Sequence, residues 1–392
     1  MIQKKLSVKE NIKTMTQNET DETVRKLTHK MLVCGFVAVF QKIEEGPVLR
    51  TFYFKPAPGA LFSKILNKEE EIAGTLAAES VRLMREGGLL VIEVPRQDRQ
   101  MIRFDSCLHE LLTSEATKDM QLPLLMGQTP RGDYLYCDLA DQPHMLIAGA
   151  TGGGKSVFTS MLIASLALVK PPSELSFTLT DTKSLDLVFF EDLAHVSAVV
   201  RTAAELRTSL SSALGEIRRR NALMSGVARN IKEWNAMGTG QKLKYKIFIV
   251  DELADVLDQD ALNMQGIKKI DRPTSIPDLL KMMAQIGRAA GIHMIAATQR
   301  PSVKVMAGDI KTNFPARIAF KLPTMQDSRV ILDENGAENL LGKGDYLYKI
   351  SGSDMVRRAH SAYVSMTDIA MITNQHSEIR RMYARPTLDH RR

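Results

Sequence analysis

Gly149-Ala150-Thr151-Gly152-Gly153-Gly154-Lys155-Ser156 fits the pattern G-x-x-x-x-G-K-[ST], with an apolar run at residues 145–148 before it and a helical pattern over residues 156–169 after it. Strand, glycine turn and helix in that order form the unit from which parallel α/β sheets are built. The glycines let successive backbone N–H groups point at phosphate oxygens, and the following helix adds the positive end of its dipole. Gly149, Ala150, Thr151, Gly152, Gly153, Gly154, Lys155, Ser156 and Val157 are therefore the candidate nucleotide cradle. Within it Lys155 is placed for the β and γ phosphates, and Ser156 for Mg²⁺. The competing reading is a glycine turn with a chance lysine, and the flanking strand and helix weigh against it.

A second apolar run, Ile247-Phe248-Ile249-Val250, ends in Asp251-Glu252. A carboxylate at the end of such a strand can hold the metal's water shell, and the next one can polarise an attacking water. Asp251 is thus the second candidate metal residue and Glu252 the candidate catalytic acid–base; an acidic helix start is the alternative for both. Gln299, after the strand pattern of residues 292–297, lies where ligands of open α/β sheets bind and could sense the γ phosphate. Alternatively, Thr298 and Gln299 satisfy loop backbone groups.

The rest of the chain fits this frame. With 392 residues and roughly 150 residues per domain, two or three domains are expected. Hydrophobic residues make up 44% and charged ones 25%, an ordinary globular mixture that excludes wholesale disorder. Lys plus Arg is 52 against 45 acids, so the net charge of +7 suits a polyanionic partner without requiring one. Cys34, Cys107 and Cys137 lie far apart with no metal-binding spacing and read as reduced thiols. No secretory leader is visible, and the best apolar run, residues 31–40, is about half the roughly 20 residues a membrane span needs. A cytoplasmic protein is expected.

Residues 1–29 are polar and read as a flexible arm or one weak helix. Strand and turn chemistry over residues 31–59, a helical pattern at 69–84 and a strand at 89–94 predict a small α/β domain over 30–112. A polar connection including residues 127–132 follows. Strands at 145–148, 176–180, 247–250, 292–297 and 318–321 then alternate with helices at 156–169, 203–224 and 279–290. That alternation predicts a mainly parallel sheet with helices on both faces over 113–365, followed by a basic tail over 366–392. Arg218-Arg219-Arg220 reads as exposed charge, because three consecutive helical residues face different directions.

These motifs together resemble the FtsK/SpoIIIE family of DNA translocases. Pro143-His144-Met145-Leu146-Ile147-Ala148-Gly149 leads into the phosphate loop as in that family, and Asp181-Thr182-Lys183 is similar to its Asp-Pro-Lys element with Thr in place of Pro. Arg229-Asn230, Trp234-Asn235, Asp251-Glu252-Leu253-Ala254-Asp255, residues 288–293 and 297–302, Asp327-Ser328-Arg329 and Gly344-Asp345-Tyr346-Leu347-Tyr348 continue the series. Gly46-Pro47-Val48 and Pro56-Ala57-Pro58-Gly59 extend it into the small domain, so the resemblance covers about residues 31–364. It implies a RecA-like P-loop ATPase domain preceded by a small α/β domain, using ATP and Mg²⁺. The resemblance also implies a homohexameric ring that moves along double-stranded DNA, with hydrolysis at subunit boundaries. Arg288 would then be the finger reaching a neighbour's γ phosphate; a helix-end arginine complementing the dipole is its other reading. Arg300, Lys304, Lys311 and Arg329 fall in segments resembling the pore-facing loops and are candidate DNA-phosphate contacts, or else solvated charges.

Departures from the family pattern are also legible. Cellular members carry a membrane region, a long linker and a winged-helix domain, and none is present in these 392 residues. A soluble motor for phage or mobile-element DNA, recruited by an unidentified protein, is the expectation. The stretch 235–245 is shorter than usual, while 257–278 is longer and has no assigned role. Two alternatives stay open: a protein-secretion ATPase of the same family, and a DNA-binding ring whose nucleotide only regulates assembly.

Overall fold

The computed structural model describes residues 20–383 except 239, 269, 271, 303–307 and 354. Its chain divides into two compact units, one running to Met101 and taking in residues 130–133, the other holding residues 102–129 and 134 onward. The sequence reading ended the small domain near residue 112; helix α3 (Phe104–Thr113) falls in the second unit.

The first unit opens with helix α1 at residues 20–33 and a four-stranded antiparallel sheet in the order β1-β2-β4-β3: β1 (Ala38–Glu45), β2 (Leu49–Pro56), β3 (Arg82–Glu86) and β4 (Leu89–Pro95). Helix α2 (Glu69–Leu76) precedes β3. Gly87 and Gly88, both with positive φ, form the two-residue turn from β3 to β4, a conformation that matches the strand twist and favours glycine. Leu27, Met31, Phe36, Phe52, Phe54, Ile72 and Ile92 are fully buried in its core. Two expectations change here. Residues 20–33 are a helix, the second of the two readings of the arm, and its Leu27 and Met31 enter the core, so the strand pattern expected from residue 31 begins only at Ala38. The helical pattern of 69–84 breaks after Leu76, where Ala77 takes a left-handed conformation and ends α2.

The second unit is built on a ten-stranded sheet in the order β6-β5-β14-β13-β12-β7-β11-β10-β8-β9. Its strands are β5 (Pro123–Gln128), β6 (Tyr134–Asp138), β7 (His144–Ala148), β8 (Leu175–Thr180), β9 (Val196–Val200), β10 (Tyr245–Val250), β11 (Ile292–Thr298), β12 (Ala316–Phe320), β13 (Asp345–Lys349) and β14 (Arg357–His360). From β12 to β9 the pairing is parallel; from β12 back through β13, β14, β5 and β6 it is antiparallel. The mainly parallel sheet is thus present, with an antiparallel extension. The polar connection expected around residues 127–132 holds the β5–β6 hairpin, five of whose first six residues are buried.

Helices α4 (Lys155–Val169), α5 (Ala203–Met224), α6 (Ile231–Met237), α7 (Leu253–Asn263), α8 (Ile276–Ala290), α9 (Gly308–Asn313), α10 (Met325–Leu332) and α11 (Met366–Tyr383) complete the unit. α4 is apolar all round and buried, as a helix packed on more than one side must be. α5 and α8 share a core with β7, β10 and β11 through Leu210, Ile217, Met283, Phe248 and Met294. Arg220 departs from the exposed-charge reading. It is 2% exposed, donating to the Lys244 and Ala290 carbonyls at 2.8 and 2.7 Å and to Glu216 at 2.8 Å, so it ties α5 to the starts of β10 and β11. Arg219 pairs with the same Glu216 at the surface.

Asp345, at the start of β13, is 1% exposed and meets Arg358 at 2.6 Å and His360 at 3.1 Å. Burial by itself would raise its carboxyl; Arg358 and His360 outweigh that and hold it well below the usual range. Among the described residues no helix is long and apolar enough to cross a membrane. Positions 1–19 and 384–392, including most of the expected arm and the end of the basic tail, lie outside the described residues.

Candidate functional site

Parallel register brings the C-terminal ends of five strands to one edge. Ala148 of β7 pairs with Thr298 of β11 and Ala319 of β12; Val250 of β10 pairs with Ala296 of β11 and Thr180 of β8. The phosphate loop, Asp181, Asp251-Glu252 and Gln299 therefore share that edge, the one where ligands of open α/β sheets bind.

The loop's shape depends on two glycines. Gly152 and Gly154 have φ of +78° and +114°, values an L side chain adopts only under strain. A Cβ on Gly154 would also stand 2.6 Å from the Gly344 nitrogen, while Gly344 N–H donates to the Gly153 carbonyl at 3.0 Å. The turn before β13 is thus the floor under the phosphate loop.

Lys155, at 2% exposure, donates from Nζ to Asp251 Oδ1 at 2.8 Å and to the Asp251 carbonyl at 3.0 Å. Burial raises the Asp251 carboxyl above its ordinary value, with Lys155 opposing and Asp186 and Asp181 adding to the rise. A buried lysine held by one carboxylate is a cation already in place for incoming anionic oxygens.

Glu252 caps α7 and is held from three sides. Its Oε1 accepts from Thr298 Oγ1 at 2.6 Å and from the Ala254 N–H at 3.3 Å, and its Oε2 accepts from the Gln299 N–H at 2.8 Å. Gln299 Oε1 in turn accepts from Thr151 Oγ1 at 3.1 Å, tying the end of β11 to the phosphate loop. The helix-start reading of Glu252 holds, and Thr298 Oγ1 accepts from the loop N–H of Arg300 at 3.1 Å while Gln299 faces the phosphate loop.

Asp186 at this edge escaped the sequence reading, while Asp181 and Asp255 entered it only inside family-like motifs, with no role assigned. Asp186 Oδ2 accepts from Ser156 Oγ at 2.6 Å. Asp181 is 2% exposed and accepts the N–H groups of Lys183, Leu185, Asp186 and Leu187, so the loop after β8 hangs on its carboxylate. Asp255, on α7, pairs with Lys183 at 2.8 Å and with Arg300. The only signal for Asp186 was its position, an acid shortly after a strand.

Among the candidate DNA contacts, Lys311 and Arg329 lie together, Lys311 Nζ donating to the Arg329 carbonyl at 3.3 Å. Arg300 follows directly on Gln299, Lys311 pairs with Asp333 at 2.5 Å, and Arg329 donates to Asn335 at 2.6 Å. Lys304 lies outside the described residues. Arg288 is exposed at the end of α8, 3.6 Å from Asp141. It precedes β11, so its own nucleotide edge is about 20 Å away along the strand.

Ser156 and Asp251 offer hard oxygen donors of the kind Mg²⁺ takes. Among the described residues no group of three acids, His or Cys could hold a metal unaided, so phosphate oxygens and water would complete the shell, the usual arrangement for this ion.

A mainly parallel sheet carrying this loop and strand-end acids defines a P-loop ATPase. The chain belongs to the FtsK/SpoIIIE family: that family's model matches residues 108–303, and the FtsK alpha domain model matches residues 3–96. Similar proteins include the DNA translocase FtsK of Helicobacter pylori, 34% identical over 92% of this chain and 42% of its own length. The DNA translocases FtsK of Treponema pallidum and Pseudomonas aeruginosa are 36% and 35% identical, over 93% and 91% of this chain and 44% and 46% of theirs. This chain thus spans less than half of each of these relatives. Among solved structures, the pCW3 conjugation coupling protein TcpA with ATPγS has a TM-score of 0.61 at 22% identity, covering 88% of this chain and 94% of its own. The Type VII secretion ATPase EccC of Thermomonospora curvata has a TM-score of 0.58 at 24% identity, covering 70% and 34%. Both show the same fold.

Proposed function

We propose that this protein is an ATP-driven motor that translocates double-stranded DNA as a ring of six copies. The observation that carries this reading is the grip of Thr298 and Gln299 on Glu252. The acid placed to activate water is held by the strand end that touches the phosphate loop and continues directly into Arg300, so hydrolysis and a basic segment share one short piece of chain. The family's DNA translocases, similar over more than nine-tenths of this chain, support duplex DNA as the substrate.

In this reading the phosphate loop N–H groups receive the triphosphate, and Lys155 turns from Asp251 toward the β and γ oxygens. Ser156 and Asp251 would hold Mg²⁺, which would supply positive charge against that developing on the phosphates. Glu252 accepts a proton from the attacking water, its carboxylate fixed by Thr298 and the Gln299 N–H. Arg288, exposed and at the far edge from its own site, is available to a neighbouring subunit's γ phosphate. Arg300, Lys311 and Arg329 would exchange their present partners for DNA phosphates, which gives salt-dependent binding without base reading.

The test is ATP turnover of the purified protein with and without long duplex DNA, together with displacement of a third strand from a triplex. Turnover that rises with duplex length and strand displacement abolished in Lys155→Ala are expected. Turnover indifferent to DNA, or displacement surviving Lys155→Ala, overturns the reading.

A further inference from the structure

Asp186 has no assigned part in the chemistry above, yet it accepts the hydrogen bond from the hydroxyl that would ligate the metal. A serine that ligates a cation uses an oxygen lone pair and keeps its proton, which then needs an acceptor. Asp186 Oδ2 is that acceptor, 2.6 Å from Ser156 Oγ. The arrangement needs no rearrangement on metal binding, because the lone pair and the O–H of one hydroxyl point in different directions.

Asp186 is also held in place. The preceding turn wraps the buried Asp181 carboxylate, which collects four backbone N–H groups from residues 183 to 187, one of them Asp186's own. Asp181 is therefore a hub that fixes the loop, and Asp186 is what the loop presents to the nucleotide edge. The acids here do not converge into a cage that could hold a metal unaided, which fits an acceptor acting through Ser156 better than an additional ligand.

We propose that Asp186 is a positioning residue for Mg²⁺, orienting the Ser156 hydroxyl and making its oxygen a stronger donor to the ion. Hydrogen-bond partners of metal ligands typically contribute 10- to 100-fold in metal affinity. The inference rests on the ATPase reading of the site, and binding measurements separate the two.

The experiment titrates Mg²⁺ against the full-length protein holding a fluorescent ATP analogue, and repeats the binding in EDTA. For Asp186→Ala, half-saturating Mg²⁺ rises 10- to 100-fold while analogue affinity in EDTA stays at the wild-type value. Asp186→Asn keeps an acceptor oxygen without the charge, and its half-saturating Mg²⁺ falls between the two. Equal Mg²⁺ dependence in wild type and both variants overturns the proposal. So does an equal loss of affinity with and without Mg²⁺ in both variants, which would make Asp186 a fold residue. A wild-type protein that binds no analogue under either condition removes the ATPase reading itself, a result distinct from the other two.

Discussion

Glu252 and Lys155 illustrate how much single side chains at this edge depend on their neighbours. Glu252→Gln keeps the shape of the side chain and its hold on α7 but cannot take the proton, so ATP turnover should fall by roughly 10²–10⁴-fold while analogue binding persists; steady-state and equilibrium binding assays on one preparation would check this. Buried histidines give a second prediction. Burial foremost lowers His144 to about 3 and His293 to about 4, so both are neutral in the folded chain at pH 7. The unfolded chain protonates below pH 6.5, the ordinary histidine value. Their contribution is therefore fully present above pH 6.5 and is lost as pH falls from there toward 4, by up to about 1.4 kcal/mol per pH unit for each group. Urea unfolding at pH 7.5 and 5 should show the loss, and His144→Phe, set beside Phe314, should flatten it. At this scale the sequence motifs announced Lys155, Ser156, Asp251 and Glu252 because their chemistry requires fixed spacing. Asp186 was invisible, since its role depends on a loop wrapped around Asp181, and no local pattern encodes that wrapping.

Elements were legible where periodicity or punctuation was strong. Residues 203–224 form α5 as their spacing implied, and Pro171-Pro172 follow α4. Helix 20–33 was obscured because only Leu27 and Met31 on its face are fully buried, leaving a polar composition that resembles an arm. The β5–β6 hairpin was obscured by glycines: Gly127 has φ +112°, and a Cβ there would stand 2.0 Å from the His360 carbonyl oxygen, so the residue that looked like loop is demanded by the neighbouring strand. Arg220 was misread because a long helix offers buried positions even to arginine when carbonyls wait at its tip. Arg220→Ala would leave the Lys244 and Ala290 carbonyls and Glu216 without it, and a loss of about 2–4 kcal/mol in denaturant stability is expected. Gly154→Ala would meet Gly344 and force a strained φ, so analogue binding should drop at least tenfold while circular dichroism keeps its wild-type shape.

At the scale of the molecule, the resemblance read from ordered motifs survives comparison, whereas assembly is a matter of surfaces that a single chain presents. Mixing Arg288→Ala subunits with wild type tests the ring: inhibition steeper than proportional dilution is the expected outcome, and strictly proportional loss would show that each copy works alone. For DNA, Arg300→Ala should lower the slope of log affinity against log salt by about one unit, measured by titrating duplex at several salt concentrations. The contact between Gly154 and Gly344 adds a constraint of timing. The phosphate loop is made well before the backbone it rests on, and β13 is secured to β14 by Arg358 later still. Such long-range pairings form slowly. A nascent chain therefore carries the whole nucleotide motif without a finished pocket until Gly344 has been made, and ATP can act as a folding ligand only once nearly the entire sheet has been translated.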